Sequence, residues 1–122
     1  MNFIDGFVAA VPTENQEKYT ENQEKYIEHA KETADLFKEH GALSIVETWG
    51  RDVPEGKTTS FGLAVKCEEN ETVVFSWVTW PSKEVRDQAW ESMMEDERMN
   101  DFVMPFDGSR LIYGGFEVIF QA

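Results

Sequence analysis

Asp5 and His40 are the side chains of this sequence best suited to moving a proton. In an extended chain Asp5 shares its face with Phe3 and Phe7, and apolar surroundings raise the pKa of a carboxyl group into the range that suits a general acid or base. Histidine changes its charge near neutral pH. We therefore predict Asp5 and His40 as candidate catalytic residues.

Both residues also have a structural interpretation. Asp5 could bond to backbone N–H groups or to an arginine at a subunit interface, since structural ion pairs perturb pKa values too. His40 directly precedes Gly41, a residue suited to end a helix, and a cation at that place interacts favourably with the helix dipole. The sequence leaves both alternatives open.

Tryptophan and arginine side chains could hold a ligand. Trp49 and Trp77 offer surfaces on which an aromatic compound could stack, and Arg110 follows the turn residues Asp107 and Gly108, where it could bind an anion. The alternatives are core packing for the tryptophans and a structural salt bridge for the arginine. We predict Trp49, Trp77 and Arg110 as candidate ligand-binding residues.

Motifs for several other chemistries are absent from the sequence. His29 and His40 have no second ligand at metal spacing, and there is no His-Glu-x-x-His pattern, nucleophile elbow, phosphate loop or dinucleotide fingerprint. The single cysteine, Cys67, is followed by Glu68 and Glu69, which oppose thiolate formation. We expect an unreactive thiol in a reducing compartment, no metal and no cofactor.

Composition restricts the class of protein. The 122 residues suit a single domain covering 1–122. Eleven Lys and Arg against 24 Asp and Glu give a net charge of −13, which repels nucleic-acid backbones and anionic membrane surfaces. No apolar run approaches the ~20 residues that span a bilayer, and the first residues lack a basic segment followed by an apolar core. We expect a cytoplasmic protein without nucleic-acid or membrane partners.

The first third of the sequence predicts a strand and a long helix. Residues 3–11 form an apolar stretch closed by Pro12, which predicts the first strand. Apolar residues then recur at three- and four-residue steps and predict a helix ending at Gly41; they are Tyr19, Tyr26, Ile27, Ala30, Ala34 and Phe37. Residues 13–19 and 20–26 repeat one heptad, and we expect this duplication to lengthen the helix by roughly 10 Å.

The remaining sequence alternates strands with a second helix. Residues 43–49 predict a strand, and residues 61–66 and 72–80 predict an antiparallel hairpin. Ser82 is a suitable cap for the second helix, and residues 111–120 predict the last strand.

This order of elements predicts an α+β domain of the ferredoxin-like type, an antiparallel sheet with two helices on one face. The strands nevertheless carry apolar residues on both alternating sets, as Phe3 and Phe7 against Ile4 and Val8 illustrate. A bare apolar sheet face promotes aggregation, so we predict that a second copy of the chain covers it. The expected assembly is a homodimer packed sheet to sheet.

Five motifs spread over nearly the whole chain carry a family resemblance. They are Asp5-Gly6-Phe7-Val8, Glu39-His40-Gly41-Ala42-Leu43, Asp52-Val53-Pro54 with Gly56-Lys57, Val73-Val74-Phe75-Ser76-Trp77 with Trp80-Pro81-Ser82, and Met104-Pro105-Phe106-Asp107-Gly108 followed by Gly114-Gly115-Phe116. Together they resemble the YbaA-like family, a bacterial group of unknown function. The resemblance implies a dimeric α/β barrel, in which two sheets pack face to face, and no established activity. The main departure from the family is the extra heptad: the resemblance aligns the family's first helix with the second copy, which makes residues 13–19 the insertion.

Two functions follow from this interpretation. In the first, a pocket between sheet and helices binds an apolar or aromatic small molecule near Asp5, His40 and a tryptophan. Related superfamilies of this architecture include cofactor-independent monooxygenases and small-ring isomerases, so this version extends to catalysis by analogy of fold. In the second, the protein is a non-catalytic homodimeric module whose polar residues serve folding and assembly. An enclosed pocket reached by at least two of the polar candidates would favour the first.

Overall fold

A computed structural model describes residues 2–14, 23–101 and 106–122, and within them the chain has an α+β fold. The strands are β1 Phe3–Pro12, β2 Ser44–Glu47, β3 Glu71–Trp80 and β4 Ile112–Glu117; the α-helices are α1 Gln23–Glu39, α2 Phe61–Ala64 and α3 Lys83–Met94; 3-10 helices cover Glu97–Asp101 and Gly108–Arg110. Most of the predicted heptad insertion, residues 15–19, lies outside the described residues.

The four strands form one open antiparallel sheet in the order β2-β3-β1-β4. β1 pairs with β3 along its whole length and with β4 from Phe3 to Val8. The long apolar strands β1 and β3 therefore occupy the centre of the sheet. β2 and β4 form its edges and are shorter than the predicted strands at 43–49 and 111–120.

Alternation along the strands divides the sheet into two faces. The helix face carries Phe3, Asp5 and Phe7 of β1, Ile45 of β2, and Val78 and Trp80 of β3. The open face carries Ile4, Gly6, Val8 and Ala10 of β1, Val73, Phe75 and Trp77 of β3, and Ile112, Gly114 and Phe116 of β4.

The main core fills the space between the helix face and helices α1 and α3. Its buried members are Phe3, Leu36, Phe37, Ala42, Val78, Trp80, Ala89 and Met93. Phe37, which the predicted helical stripe turns inward, has its ring centroid 6.2 Å from that of Trp80 and 5.6 Å from that of Trp90. α1 ends as predicted, because Gly41 adopts a φ of 109°, a left-handed conformation typical of glycine after a helix.

The predicted hairpin arm at residues 61–66 is wrong, because Phe61–Ala64 forms helix α2. The hydroxyl oxygen of Ser60 accepts a hydrogen bond from the backbone N–H of Leu63 at 3.0 Å and so caps this helix. Val65 is then buried against the open face, in a second small cluster. A serine cap and one inward valine therefore override the β propensity of the segment, and α2 lies at one end of the open face.

Candidate functional site

Asp5 lies at the centre of a polar cluster on the helix face, where it is only 3% exposed. Its Oδ2 accepts hydrogen bonds from the indole Nε1 of Trp80 and of Trp90, each at 2.9 Å. Arg86 donates from Nη2 to Oδ1 at 2.8 Å, and from Nε to Oδ1 and Oδ2 at 3.0 and 3.1 Å. The carboxylate is therefore paired and hydrogen-bonded on both oxygens within its own chain.

Two strands and one helix bring these four side chains together. β1 supplies Asp5 and its neighbour β3 supplies Trp80. Arg86 and Trp90 are four residues apart on α3 and so share one face of that helix. The hydroxyl of Ser82 caps the first turn of α3, as predicted. The hydrogen bonds of Trp80 and Trp90 to Asp5 are not predicted from the sequence; the four-residue spacing of Arg86 and Trp90 is the signal that was available for them.

Packing on both sides fixes the guanidinium of Arg86. Its Cζ lies 5.2 Å from the centroid of the Phe3 ring, in cation–π geometry. The hydrogen bonds to Asp5 raise the pKa of Arg86 above its ordinary value. The backbone of Gly115 passes so close that a β-carbon there would lie 2.6 Å from the Phe3 ring and 2.9 Å from Nη2 of Arg86. The cluster therefore requires a glycine at this position.

This geometry matches the structural alternative for Asp5, a carboxylate paired with an arginine. Each carboxylate oxygen already accepts at least two hydrogen bonds, so a substrate would have to displace Arg86 or an indole to reach it. The arginine belongs to the same chain as Asp5. A catalytic role for Asp5 stays a prediction.

His40 lies in a separate charged network that follows α1. Its Nε2 is 3.8 Å from Oδ2 of Asp96, and Nη2 of Arg98 binds Asp96 at 2.9 Å and Glu39 at 2.7 Å. The hydrogen bonds from Arg98 lower the pKa of Asp96 to about 2 and also lower that of Glu39. His40 and Asp5 have no partner in common among the residues described, so the structure does not bring the two predicted catalytic residues into one site.

The two tryptophans predicted to bind a ligand lie apart from Asp5. Trp77 is on the open face, with its ring centroid 5.4 Å from that of Phe75, so the sheet separates it from Asp5. Trp49 follows β2 and is half-buried. The stacking of Trp77 on a neighbouring ring matches the packing alternative, and the ligand-binding role of both tryptophans stays a prediction.

Arg110 is engaged in salt bridges inside the chain. Its Nη1 and Nη2 each donate to a carboxylate oxygen of Glu71 at 2.7 Å, and its Nε donates to Asp107 at 3.1 Å. Nη1 also donates to the carbonyl oxygen of Lys66 at 2.9 Å. The hydrogen bond from Arg110 lowers the pKa of Glu71. Most donors that an anionic ligand would need are thus taken, which matches the salt-bridge alternative.

A cleft of about 590 Å³ opens at the end of the sheet where β3 begins. Its lining comes from segments 50–56, 60–69 and 71–73. The volume falls within the range of about 300–1,000 Å³ that is usual for small-molecule sites. Neither Asp5 nor His40 lines it, so it is not the pocket between sheet and helices that the sequence predicts. Sequence reasoning missed this cleft because it assigned part of the lining to a strand.

Cys67 belongs to the lining of this cleft. Burial raises the pKa of its thiol, and the negative charge of Glu71 raises it further. The thiol lies 3.6 Å from the carbonyl oxygen of Glu68, to which it donates. It is therefore predominantly protonated at neutral pH, in agreement with the expected unreactive thiol.

The part of the chain that the structure describes contains neither a candidate metal-binding cluster nor a candidate membrane-spanning helix. No three His, Cys, Asp or Glu side chains in it group closely enough to hold a metal ion. None of its helices combines the length and the apolar character needed to cross a membrane.

Known sequences match this chain along nearly its whole length. The profile of a family described as "Protein of unknown function (DUF1428)" matches residues 2–108. The chain is 57% identical over 121 residues to the uncharacterized protein YbaA of Escherichia coli strain K12, covering 98% of this chain and 97% of that protein. The same identity and coverage apply to the uncharacterized protein YbaA of Shigella flexneri. These descriptions name no activity.

Proposed function

The chain belongs to the DUF1428 family of proteins of unknown function, and we propose that it serves as a homodimeric interaction module. In this proposal the domain is ferredoxin-like, and its open face packs on the open face of a second copy to form a dimeric α/β barrel. The strand order β2-β3-β1-β4 with antiparallel neighbours supports the ferredoxin-like assignment.

The observation that carries the proposal is the apolar surface exposed on the open face. Phe116, Ile112 and Phe75 are 64%, 43% and 41% exposed. Phe116 lies across the glycines of this face, since β-carbons at Gly6 and Gly114 would meet its ring at 3.8 and 3.5 Å. Contiguous apolar patches of this kind mark interaction sites on soluble proteins.

The open face supplies much of the area that a standard interface needs. Strands lie ~4.8 Å apart and rise ~3.3 Å per residue, so strands of 10, 4, 10 and 6 residues cover roughly 480 Å² in projection. A standard interface buries about 800 Å² on each partner. The exposed side chains of Phe61 and Leu63 extend the apolar surface beyond the sheet, and the Phe61 ring contacts that of Phe75.

The open face is the part of the described surface where the negative charge least opposes contact with a second copy of the chain. Each copy carries a net charge of −13, so two copies repel each other over most of their surface. The open face of the described strands carries one carboxylate, Glu71, and Arg110 neutralises it through two hydrogen bonds of 2.7 Å. Two copies can therefore approach each other at the open face without bringing unneutralised negative charges of its strands together.

Sedimentation equilibrium at micromolar concentration tests the proposal. We expect twice the 14.1 kDa mass of one chain. Phe116→Lys is expected to give monomers, because it forces an unpaired charge into the interface. Tyr113→Lys is the matched control: Tyr113 lies on the same strand but pairs with Phe7 of the helix face and is 75% exposed, so this variant keeps the dimer.

Two outcomes contradict the homodimer. One is a folded wild-type chain that sediments as a monomer; the other is a Phe116→Lys variant that stays dimeric. Circular dichroism and cooperative unfolding first establish that each variant is folded, so that a change of mass reports assembly.

Binding of an apolar or aromatic small molecule is a second candidate function, which the cleft of about 590 Å³ favours. A ligand that binds the native state raises the melting temperature by mass action. A thermal-shift screen of aromatic acids, quinones and polyketide-like compounds therefore tests this candidate. A melting temperature that none of these compounds changes at millimolar concentration contradicts it.

Catalysis has less support than binding. Cofactor-independent oxygenase or isomerase chemistry at Asp5 and His40 stays a prediction, because hydrogen bonds occupy the Asp5 carboxylate and the two residues lie in separate networks. The cytoplasmic location expected from the sequence stays a prediction as well.

A further inference from the structure

We propose that the cleft beside α2 binds a small monocarboxylate with an apolar body, anchored by Arg51 and Lys66. The proposal rests on the second candidate function, small-molecule binding, and names its ligand class. Both cations belong to the lining of the cleft.

Arg51 differs from the other arginines because no carboxylate of the described residues pairs with it. Acidic residues outnumber Lys and Arg by 24 to 11, and Arg86, Arg98 and Arg110 each form salt bridges. Arg51 is exposed and forms no ion pair with any residue in the described ranges. A guanidinium presents a fork of N–H donors that fits a carboxylate. A guanidinium that lines a cleft and pairs with no carboxylate of the described residues therefore points to a carboxylate that comes from outside the chain.

Lys66 is held in an unusual backbone conformation. Among the non-glycine residues that the structure describes, it alone has a positive φ, 50°, at a place after α2 where glycine or asparagine is usual. Its N–H donates to the carbonyl oxygen of Leu63 at 3.3 Å, and its carbonyl oxygen accepts from Arg110 at 2.9 Å. Backbone strain of this kind concentrates at ligand-binding sites. We therefore infer that the side chain of Lys66 contributes to ligand binding.

Apolar side chains line the same cleft as these two cations. Val53 and Leu63, both exposed, and the buried Val73 line the cleft. Apolar lining with a few placed polar groups is the usual composition of a small-molecule site. The combination suits a molecule with an apolar body and one anionic end.

The carboxylates of the lining restrict the charge of the ligand. Arg110 neutralises Glu71, but Glu55, Glu68 and Glu69 form no salt bridge within the described part of the chain. Coulomb energies grow in proportion to the charge of the ligand, and these three glutamates outnumber the cations Arg51 and Lys66, so the net repulsion on a phosphate of charge about −1.5 to −2 is up to twice that on a monocarboxylate. The cleft therefore favours a monocarboxylate over a phosphate.

Calorimetric titration of the full chain with benzoate, phenylacetate and hexanoate tests the proposal. We expect at least one of the three to bind, and phosphate and the neutral benzyl alcohol to bind about tenfold more weakly, the loss expected for one charge-assisted contact. Arg51→Gln and Lys66→Gly should each weaken carboxylate binding by a similar factor. Lys57→Gln removes the same charge outside the cleft lining and should leave binding unchanged.

Lys66→Gly separates binding from folding. Glycine adopts a positive φ without strain, so this variant should melt no lower than the wild type while it loses affinity. Carboxylate binding that survives in both cleft variants, or that phosphate equals, overturns the proposal. If quinones shift the melting temperature but no carboxylate binds, this proposal fails and the second candidate function stands; if nothing binds, both fail.

Discussion

The two faces of the sheet deal with burial in opposite ways. The helix face buries a charged group, Asp5, yet no buried side-chain nitrogen or oxygen in the described residues lacks a hydrogen-bond partner. The open face exposes apolar rings such as those of Phe75 and Phe116. The comparison teaches that the described chain buries one face under its own helices, whereas the other face keeps apolar rings exposed, which is the surface on which the proposed homodimer depends.

The buried ion pair on the helix face specifies geometry more than it adds stability. Desolvation of two charges offsets much of their attraction, but removal of one partner leaves the other charge buried and unpaired. Asp5 is satisfied only when Arg86 and Trp90 of α3 lie over β1. The cluster therefore fixes the position of α3 on the sheet.

The largest expected effect comes from breaking the pair on the helix face. Asp5→Asn leaves Arg86 without its buried counter-charge and should destabilise the fold by about 3–5 kcal/mol. Urea unfolding measures this change. Asp87→Asn is the control: Asp87 also binds Arg86, at 2.8 Å, but it is exposed, so the loss should stay within about 1 kcal/mol. Equal losses in the two variants would show that the buried pair has no special role.

A smaller effect is expected from crowding the same cluster. Gly115→Ala places a β-carbon 2.6 Å from the Phe3 ring and 2.9 Å from Arg86, and overpacking of this kind destabilises by about 1–3 kcal/mol. Gly114→Ala is the matched control on the open face, where the nearest atom of another residue is 3.5 Å away. Urea unfolding should give Gly115→Ala a clearly lower free energy of unfolding than Gly114→Ala. The reverse order would refute this account of the close approach.

On the open face the expected signature is a dependence on concentration. A homodimer is stabilised by mass action, so the melting temperature of the wild type should rise by a few degrees for each tenfold increase in protein concentration. Phe116→Lys should melt at the same temperature at every concentration, while Tyr113→Lys keeps the wild-type slope. A flat wild-type profile would argue that the open face has no partner copy.

The smallest effect belongs to the exposed network of Arg98. The folded-state pKa values of Asp96, about 2, and of Glu39 lie below their ordinary values, so both carboxylates contribute stability above pH ~4 that is lost as the pH falls toward 2. Arg98→Gln removes the hydrogen bonds that lower these two pKa values. The melting temperature of this variant should therefore fall less steeply than that of the wild type as the pH falls from ~4 toward 2. Arg51→Gln removes the same charge without an ion pair and should keep the wild-type slope. Added salt should weaken the effect, since exposed charges are screened.

Local signals in the sequence predict most of the fold. An apolar stretch closed by Pro12 identifies β1, the glycine at 41 ends α1, and Ser82 starts α3, because each signal acts within a few residues. Residues 61–66 differ from the predicted strand. The Ser60 cap and the burial of Val65 favour a helix there. Apolar residues on both strand faces also indicate the two-sided sheet.

The candidate sites depend on packing that the sequence does not display. Alternation indicates that Asp5 shares a face with apolar residues, but its partners come from β3 and from α3, more than seventy residues later. The cleft is lined mostly by the loop at 50–56 and by the short helix α2 with its flanking residues in 60–69, which are too short to show a periodic pattern. Two further features emerge only once the chain is folded: Arg51 has no carboxylate partner among the described residues, and Lys66 has a positive φ.

The distribution of tryptophans gives the molecule its own optical reporters. Trp80 and Trp90 donate to a buried carboxylate on the helix face, whereas Trp77 lies half-buried on the open face. Dissolved quenchers of fluorescence reach an indole in proportion to its contact with solvent. Emission from Trp77 therefore becomes shielded when a second copy covers its face, while the other two indoles keep their emission as long as α3 stays in place.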